Sequence, residues 1–236
     1  MSSSKLKKVG IIGTQCVGKT TLITDFKEKW PVFESPTKSY RDLVKKKKLP
    51  LNKEATKESQ EEILNFLIDE AMTNYGKKKM IFDRTPLDNL VYSLYLYDKQ
   101  LGGIDEEFID KCVALVRNAM SSYSVIFYIP FCKENDVLLT AAPNRDIDPI
   151  YRSEIGHIFE GIYTAWEKGG GTRFFNHDDC PPIIPVFGTR SERIAMINLY
   201  INDKGDMFGE NESLVQDFLQ KELLEKNLIE PMKKMK

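Results

Sequence analysis

The segment GTQCVGKT, residues 13–20, places two glycines, a lysine and a hydroxyl group in the spacing G-x-x-x-x-G-K-[ST]. Glycine lets a backbone wrap closely around an anion, and the N–H groups of such a loop and of a following helix point at it with partial positive charge. An apolar run precedes the segment and an amphipathic stretch follows it, which is the strand–loop–helix context that the motif requires. The pattern therefore predicts a polyphosphate-binding loop.

The side chains of this loop suggest separate roles. Lys19 is expected to reach the β- and γ-phosphate oxygens of a nucleoside triphosphate, and the Thr20 hydroxyl is the expected Mg²⁺ ligand, with Thr21 a weaker candidate. An ordinary glycine-rich turn would explain neither Lys19 nor Thr20. We therefore expect ATP and Mg²⁺ as cofactors. The remaining predicted contacts of the loop with the nucleotide are Gly13, Gln15, Cys16, Val17 and Gly18.

A second motif, DRTPLD at residues 83–88, follows the apolar run Met80 to Phe82. An acid at the carboxyl end of a strand that faces a phosphate loop can act on Mg²⁺ or on an acceptor hydroxyl. Asp83 is therefore a candidate metal ligand and catalytic residue, and Arg84 a candidate for holding a phosphate or the acceptor. Asp88 could contact the acceptor or cap the helix that it begins.

The two motifs together resemble the P-loop nucleoside and nucleotide kinases: deoxynucleoside kinases, thymidylate kinases and ribosylnicotinamide-kinase-like ATPases. The resemblance implies that Asp83 serves as base or metal-shell ligand and that Arg84 takes the role of its neighbouring arginine. It also implies a lid at about 140–153, whose arginines neutralise charge on the transferred phosphoryl group. Arg145 and Arg152 are the candidates, seven residues apart.

The acceptor side is predicted from the same resemblance. Glu34 resembles an acid that several nucleoside kinases place near the acceptor sugar, and Arg41 is a candidate for holding an acceptor phosphate. Gln60 corresponds to a glutamine that reads the base in deoxynucleoside kinases, although its place in a capping pattern would also explain it. Thr189, after the last predicted strand, is expected in the loop that packs against adenine.

Short apolar runs alternate with amphipathic segments along the chain. This alternation predicts an α/β three-layer P-loop NTPase fold: a mostly parallel five-stranded sheet with helices on both faces. Residues 1–204 are expected to form the kinase domain and 205–236 a C-terminal helical tail. The lysine run 45–48 is predicted to be a solvated loop, and the SQEE pattern at 59–62 to open a helix that ends near Gly76.

Bulk composition limits the setting. The net charge is −1. None of the four cysteines has CxxC spacing, which argues against a zinc site and favours a reducing compartment. No apolar run approaches the ~20 residues of a membrane span. We therefore expect a cytoplasmic protein without a membrane partner. A homodimer through the helices at 87–97 and 105–120 is a further prediction.

Two alternatives to a kinase of free nucleosides or nucleotides remain open. The first is a phage-type kinase that phosphorylates a hydroxymethylated pyrimidine in DNA, with the lysine runs 45–48 and 77–79 bound to backbone phosphates. The near-neutral net charge disfavours a large DNA footprint. The second is a regulatory ATP-binding switch. A GTPase is disfavoured, because the string DKGD at 203–206 lacks the first residue of the guanine-reading motif.

Overall fold

A computed structural model describes residues 8–132, 148–169, 174 and 180–208. Strands and helices alternate through these residues, and a short 3₁₀ turn at Asn52–Glu54 joins two of the helices. In chain order the elements are β1 (Lys8–Ile12), α1 (Lys19–Lys29), β2 (Phe33–Glu34), α2 (Tyr40–Lys47), α3 (Lys57–Met72), β3 (Lys79–Asp83), α4 (Pro86–Asp98), α5 (Glu106–Met120), β4 (Val125–Tyr128), α6 (Pro149–Glu167), β5 (Ile183–Pro185) and α7 (Arg190–Asn198).

The five strands form one parallel sheet in the order β2-β3-β1-β4-β5. The first strand in the chain is central, so β3 and β4 lie on either side of it. In this register Ile11 pairs with Asp83. The carboxyl end of β3 therefore lies beside the exit of β1 into the glycine-rich loop. The α/β fold with a parallel five-stranded sheet, predicted from the alternating pattern, is confirmed.

Two apolar layers cover the sheet, because successive side chains of a strand face opposite sides. One core cluster includes Val9 and Ile11 of β1 together with Phe26 of α1 and Ile197 of α7. The other packs α3 to α6 against the opposite face and includes Leu64, Leu90, Ile109, Ile126 and Phe159. Helices thus lie on both faces, as the three-layer prediction requires.

Two local predictions were wrong. The lysine run 45–48 is not a loop, because Lys45–Lys47 form the last turn of α2 and Lys48 is its C-cap. The helix α3 begins at Lys57, two residues before the predicted capping pattern, since Thr56 is the N-cap and Ser59 the reciprocal partner of its capping box. It ends at Met72, before Gly76.

The end of the described chain closes over one edge of the sheet. Ile201 pairs with Met207 in an antiparallel bridge, and Lys79 at the start of β3 donates a hydrogen bond of 2.6 Å to the Gly205 carbonyl. Most of the predicted tail, and the first part of the predicted lid, lie outside the described residues. The division at residue 204 remains a prediction. Among the helices described, none has both the length and the apolar character needed to cross a membrane.

Candidate nucleotide and acceptor site

The loop between β1 and α1 has the backbone conformation that its glycines allow. Gly13 and Gly18 have φ angles of 142° and 91°, and Gly18 is the N-cap of α1. A Cβ atom on Gly13 would lie 2.7 Å from the Ile129 carbonyl oxygen, so no other residue fits there. Cys16 also has a positive φ, of 59°. The chain therefore curves tightly at the N-terminus of α1, where its N–H groups can surround an anion.

Lys19 lies inside this curve. Its buried Nζ donates hydrogen bonds to the carbonyl oxygens of Gly13 and, at 2.7 Å, of Thr14. Burial, helped by the positive charge of Arg84, lowers the pKa of Lys19 to about 8. The ammonium is thus held within the loop rather than extended into solvent, at the place where a motif lysine meets phosphate.

Asp83 connects the loop to a second element. Its Oδ2 accepts a hydrogen bond of 3.2 Å from the Thr20 hydroxyl and one of 3.1 Å from Arg41 Nη1 on α2. Burial alone would raise the pKa of this carboxyl group, but the charges of Lys19, Arg41 and Arg84 outweigh burial and hold it below its ordinary value. Asp83 is therefore ionised near neutral pH.

The Thr20–Asp83 pair fits a magnesium ion. Both side chains offer oxygen ligands, and Asp83 Oδ1 is buried without a hydrogen-bond partner among the described residues. Mg²⁺ usually takes one or two protein oxygens and completes its shell with water and substrate phosphates. Among the residues that the structure describes, no cluster of three or more His, Cys, Asp or Glu could hold a metal.

Arg84 is held in a strained position between two aromatic rings. Its φ angle is 83°, unusual for a residue with a Cβ atom, and strain of this kind concentrates at functional sites. The guanidinium carbon lies 4.8 Å from the Tyr40 ring centroid and 4.9 Å from that of Tyr92. The Tyr92 hydroxyl in turn donates a hydrogen bond of 2.8 Å to Gln15 Oε1 of the phosphate loop. Tyr40 was not among the residues predicted from the sequence.

Asp88 caps the helix α4 and also lies in the buried charged cluster. Its Oδ2 accepts a hydrogen bond of 2.8 Å from the Thr85 N–H, while Oδ1 is buried without a partner among the described residues. Burial, against the opposing charges of Lys19 and Arg84, raises the pKa of Asp88 to about 6. The capping alternative is thus observed, and a contact with the acceptor remains a prediction.

Gln60 does not cap α3. It is buried, and its Oε1 accepts hydrogen bonds of 2.8 Å from Asn89 Nδ2 and 3.3 Å from Ser93 Oγ on α4. Asn89 Oδ1 has no partner among the described residues. Gln60, Asn89 and Ser93 thus form a buried polar cluster between α3 and α4, next to Asp88 in the chain. Asn89 and Ser93 belong to it although the sequence patterns did not single them out as site residues.

Glu34 lies apart from these groups. It is exposed, stands in register with Met80 at the other end of β3 from Asp83, and forms an ion pair of 2.6 Å with Lys78. The structure therefore does not bring Glu34 to the residues around Asp83. The strand β2 has only two residues, and its last residue, Glu34, lies beside the start of β3 rather than at its carboxyl end.

Arg152 contacts the phosphate loop rather than solvent. It is 3% exposed, and its Nη2 donates a hydrogen bond of 3.0 Å to the Cys16 carbonyl oxygen. Its own carbonyl accepts one of 3.2 Å from the Thr14 hydroxyl, and its guanidinium lies 4.9 Å from the Phe131 ring centroid. Arg145, the other predicted lid arginine, lies outside the described residues.

The loop after β5 approaches the phosphate loop through α7. Thr189 is the N-cap of α7 and forms a reciprocal capping box with Glu192. One turn later, buried Arg193 donates hydrogen bonds of 3.0 Å to the Gly188 carbonyl and 2.8 Å to the Val17 carbonyl. Arg193 was not predicted from the sequence, because an arginine in an amphipathic helix is ordinarily a surface residue.

Thr21, the weaker of the two predicted Mg²⁺ ligands, is exposed on α1.

These features define a P-loop nucleotide-binding protein: a parallel strand leads through the glycine-rich loop into a helix, with an acid on the neighbouring strand. The chain belongs to a family described as AAA domain, whose model matches residues 8–168. A search of curated proteins finds no match.

Solved structures with the same fold include three proteins. Deoxyadenosine kinase from M. mycoides has 17% identity and a TM-score of 0.54, covering 80% of this chain and 95% of that one. Thymidylate kinase from Candida albicans has 14% identity and a TM-score of 0.57, covering 89% and 97%. NadR protein in complex with NR has 14% identity and a TM-score of 0.55; the match covers 83% of this chain and 49% of NadR, about half its length. At these identities the likeness shows a shared fold.

Proposed function

We propose that the protein is an ATP- and Mg²⁺-dependent phosphotransferase that acts on a nucleoside or nucleotide. One observation carries the proposal: Oδ2 of Asp83 accepts hydrogen bonds both from Thr20 of the phosphate loop and from Arg41 of α2. The phosphate loop, which would bind the donor, and an exposed arginine, which could bind an acceptor, thus meet at the Asp83 carboxylate. The resemblance of the fold to a deoxyadenosine kinase and a thymidylate kinase supports this assignment.

On the donor side, the loop N–H groups and Lys19 bind the triphosphate. Thr20 and Asp83 are the residues that would hold Mg²⁺, which would neutralise phosphate charge when bound. Thr189 belongs to the loop that we assign to the adenine ring. Because the site supplies positioning and charge rather than a covalent nucleophile, it suits direct in-line transfer.

On the acceptor side, Arg41 and Arg84 supply positive charge beside Asp83. A carboxylate whose pKa is lowered by three cations is a weak base near neutral pH. Asp83 therefore acts mainly as an ionised ligand and orienting group. The amide of Gln60, fixed by Asn89 and Ser93, offers a directional hydrogen-bonding surface for the acceptor's base.

A coupled assay tests the proposal with a panel of nucleosides and nucleoside monophosphates, ATP and Mg²⁺. We expect stoichiometric transfer to one class of acceptor and loss of transfer in Lys19→Ala. ATP binding without transfer to any member of the panel would contradict it. ATP hydrolysis coupled to no acceptor would instead favour the regulatory switch.

A second candidate, a kinase of hydroxymethylated pyrimidine in DNA, has one observation in its favour. Lys45, Lys46 and Lys47 are exposed on the last turn of the helix that begins beside Arg41, where they could contact a polymer backbone. Transfer to hydroxymethylated duplex DNA, with a strong dependence on salt, would support this candidate. Transfer only to free nucleosides or nucleotides would exclude it.

A further inference from the structure

Four carbonyl oxygens of the phosphate loop accept hydrogen bonds from cationic side chains. Lys19 takes those of Gly13 and Thr14, as described above. The next two belong to consecutive peptides and are taken from different helices: the Cys16 carbonyl by Arg152 of α6 and the Val17 carbonyl by Arg193 of α7. The loop's peptide planes are therefore fixed from several sides by positive groups.

The direction of a carbonyl fixes the direction of the N–H in the same peptide. In a trans peptide the two point opposite ways, and the described residues contain no cis peptide bond. By holding the Val17 carbonyl, Arg193 sets the direction of the Gly18 N–H at the N-terminus of α1. This N–H is one of the groups that an anion at the loop requires.

Arg193 also contacts the loop after β5. Its Nε donates to the Gly188 carbonyl at 3.0 Å while its Nη1 donates to the Val17 carbonyl at 2.8 Å. The planar guanidinium presents its donors in a fixed fork, so the two carbonyls are held in a defined relative position. The fit is close, since a Cβ atom on Gly18 would lie 2.9 Å from Nη1.

We propose that Arg193 is a positioning residue of the phosphate loop: it aims the Gly18 N–H at the bound phosphates and fixes that geometry relative to the loop at Gly188. Arg193 touches neither nucleotide nor reacting atoms in this role. The inference rests on the proposed triphosphate binding and adds to it a residue through which the phosphate loop and the loop after β5 are held together.

Calorimetric titration of the full chain with MgATP and with magnesium tripolyphosphate tests the role. Arg193→Gln should weaken both affinities by about tenfold or more, because charge-assisted hydrogen bonds to the loop are lost. Arg193→Lys, a point charge that cannot reproduce the fork, should give an intermediate loss. Arg190→Gln is the matched control. It removes the same charge from the same helix, but its guanidinium contacts Asp25 on α1, so affinity should stay within about twofold.

A second measurement separates positioning from general support of the fold. In wild-type protein, the amide proton NMR signal of Gly18 should shift downfield when tripolyphosphate is added, and Arg193→Gln should reduce this shift at a temperature where the variant is folded. Unchanged affinity and an unchanged Gly18 shift in Arg193→Gln would overturn the inference while leaving the proposed function intact. An equal loss in Arg190→Gln would also overturn it. Failure of the wild-type chain to bind either ligand would refute the proposed function, and the inference with it.

Discussion

The Nη1 atom of Arg41 lies 3.1 Å from Oδ2 of Asp83, so a cation on α2 is paired with the carboxylate at the end of β3. The Arg41 side chain is half exposed, whereas that of Asp83 is mostly buried. An exposed arginine can leave a surface pair at small cost, while the buried carboxylate keeps its need for a positive partner. Asp83 is therefore the fixed member of the pair and Arg41 the movable one.

Replacing Asp83 with asparagine should abolish most phosphoryl transfer. Asparagine keeps an oxygen near Thr20 but loses the charge that would help to hold Mg²⁺, so we expect kcat to fall about 100-fold or more. Steady-state kinetics at several Mg²⁺ concentrations measure the change, and higher Mg²⁺ should recover part of it. Asp98→Asn, an exposed carboxylate at the end of α4, should behave like wild type. Equal kcat in Asp83→Asn and wild type would remove Asp83 from the site.

Replacing Arg41 with glutamine should affect the acceptor more than the donor. Loss of a charged hydrogen-bond donor should lower kcat/KM for the acceptor about 10- to 100-fold and change ATP affinity by no more than about threefold. Lys45→Gln, which removes a charge one turn further along α2, is the control and should leave transfer to free nucleotides unchanged. A loss in Lys45→Gln that appears only with DNA would point to the polymer acceptor instead.

Asp88 should make the protein less stable as the pH rises. Its pKa in the fold is raised to about 6 by burial, above its ordinary value, so folding favours the protonated form. Its contribution to stability is thus complete below about pH 4 and is lost as the pH rises through about 6. Asp88→Asn, which can still accept from the Thr85 N–H, should remove an effect of about 3 kcal/mol from this window. Urea unfolding of both proteins between pH 4 and 7.5 measures it, and parallel curves would contradict the prediction.

Two glycines of α6 should respond in opposite ways to alanine. A Cβ atom on Gly156 would lie 2.6 Å from the Phe131 Cβ, whereas one on Gly161 would meet nothing within 4 Å. Gly156→Ala should therefore destabilise the fold by about 1–3 kcal/mol through overpacking. Gly161→Ala should stabilise it by about 0.5–1 kcal/mol, since alanine is the better helix former. Thermal unfolding gives both values, and destabilisation by both variants would show that α6 does not pack as described.

The Arg152 contact bears on the predicted lid. The resemblance assigned this arginine to the transferred phosphoryl group, but it is buried against the phosphate loop at the Cys16 carbonyl. Its charge-neutralising role remains a prediction, as does that of Arg145. The homodimer also remains a prediction, although α4 is largely buried among α3, α5 and α6 of its own subunit.

The sequence alone was sufficient for the fold and for the position of the glycine-rich loop between β1 and α1. The spacing of Gly13, Gly18, Lys19 and Thr20 is local, and a loop's phosphate chemistry depends on backbone freedom and a few side chains next to each other. The parallel sheet followed from apolar runs that alternate with amphipathic ones. The position of Asp83 at the end of a strand could be predicted because the apolar run Met80 to Phe82 ends just before it.

Only the tertiary structure decided which distant residues join the loop. The order β2-β3-β1 sets Asp83 beside Thr20, 63 residues away, and leaves Glu34 at the other end of the sheet. The same applies to Arg193, which lies 176 residues from Val17 and looks like any helix-surface arginine in the sequence. Such contacts depend on strand order, register and helix rotation. These properties are set by the packing of the whole core, and no local pattern of residue types encodes them.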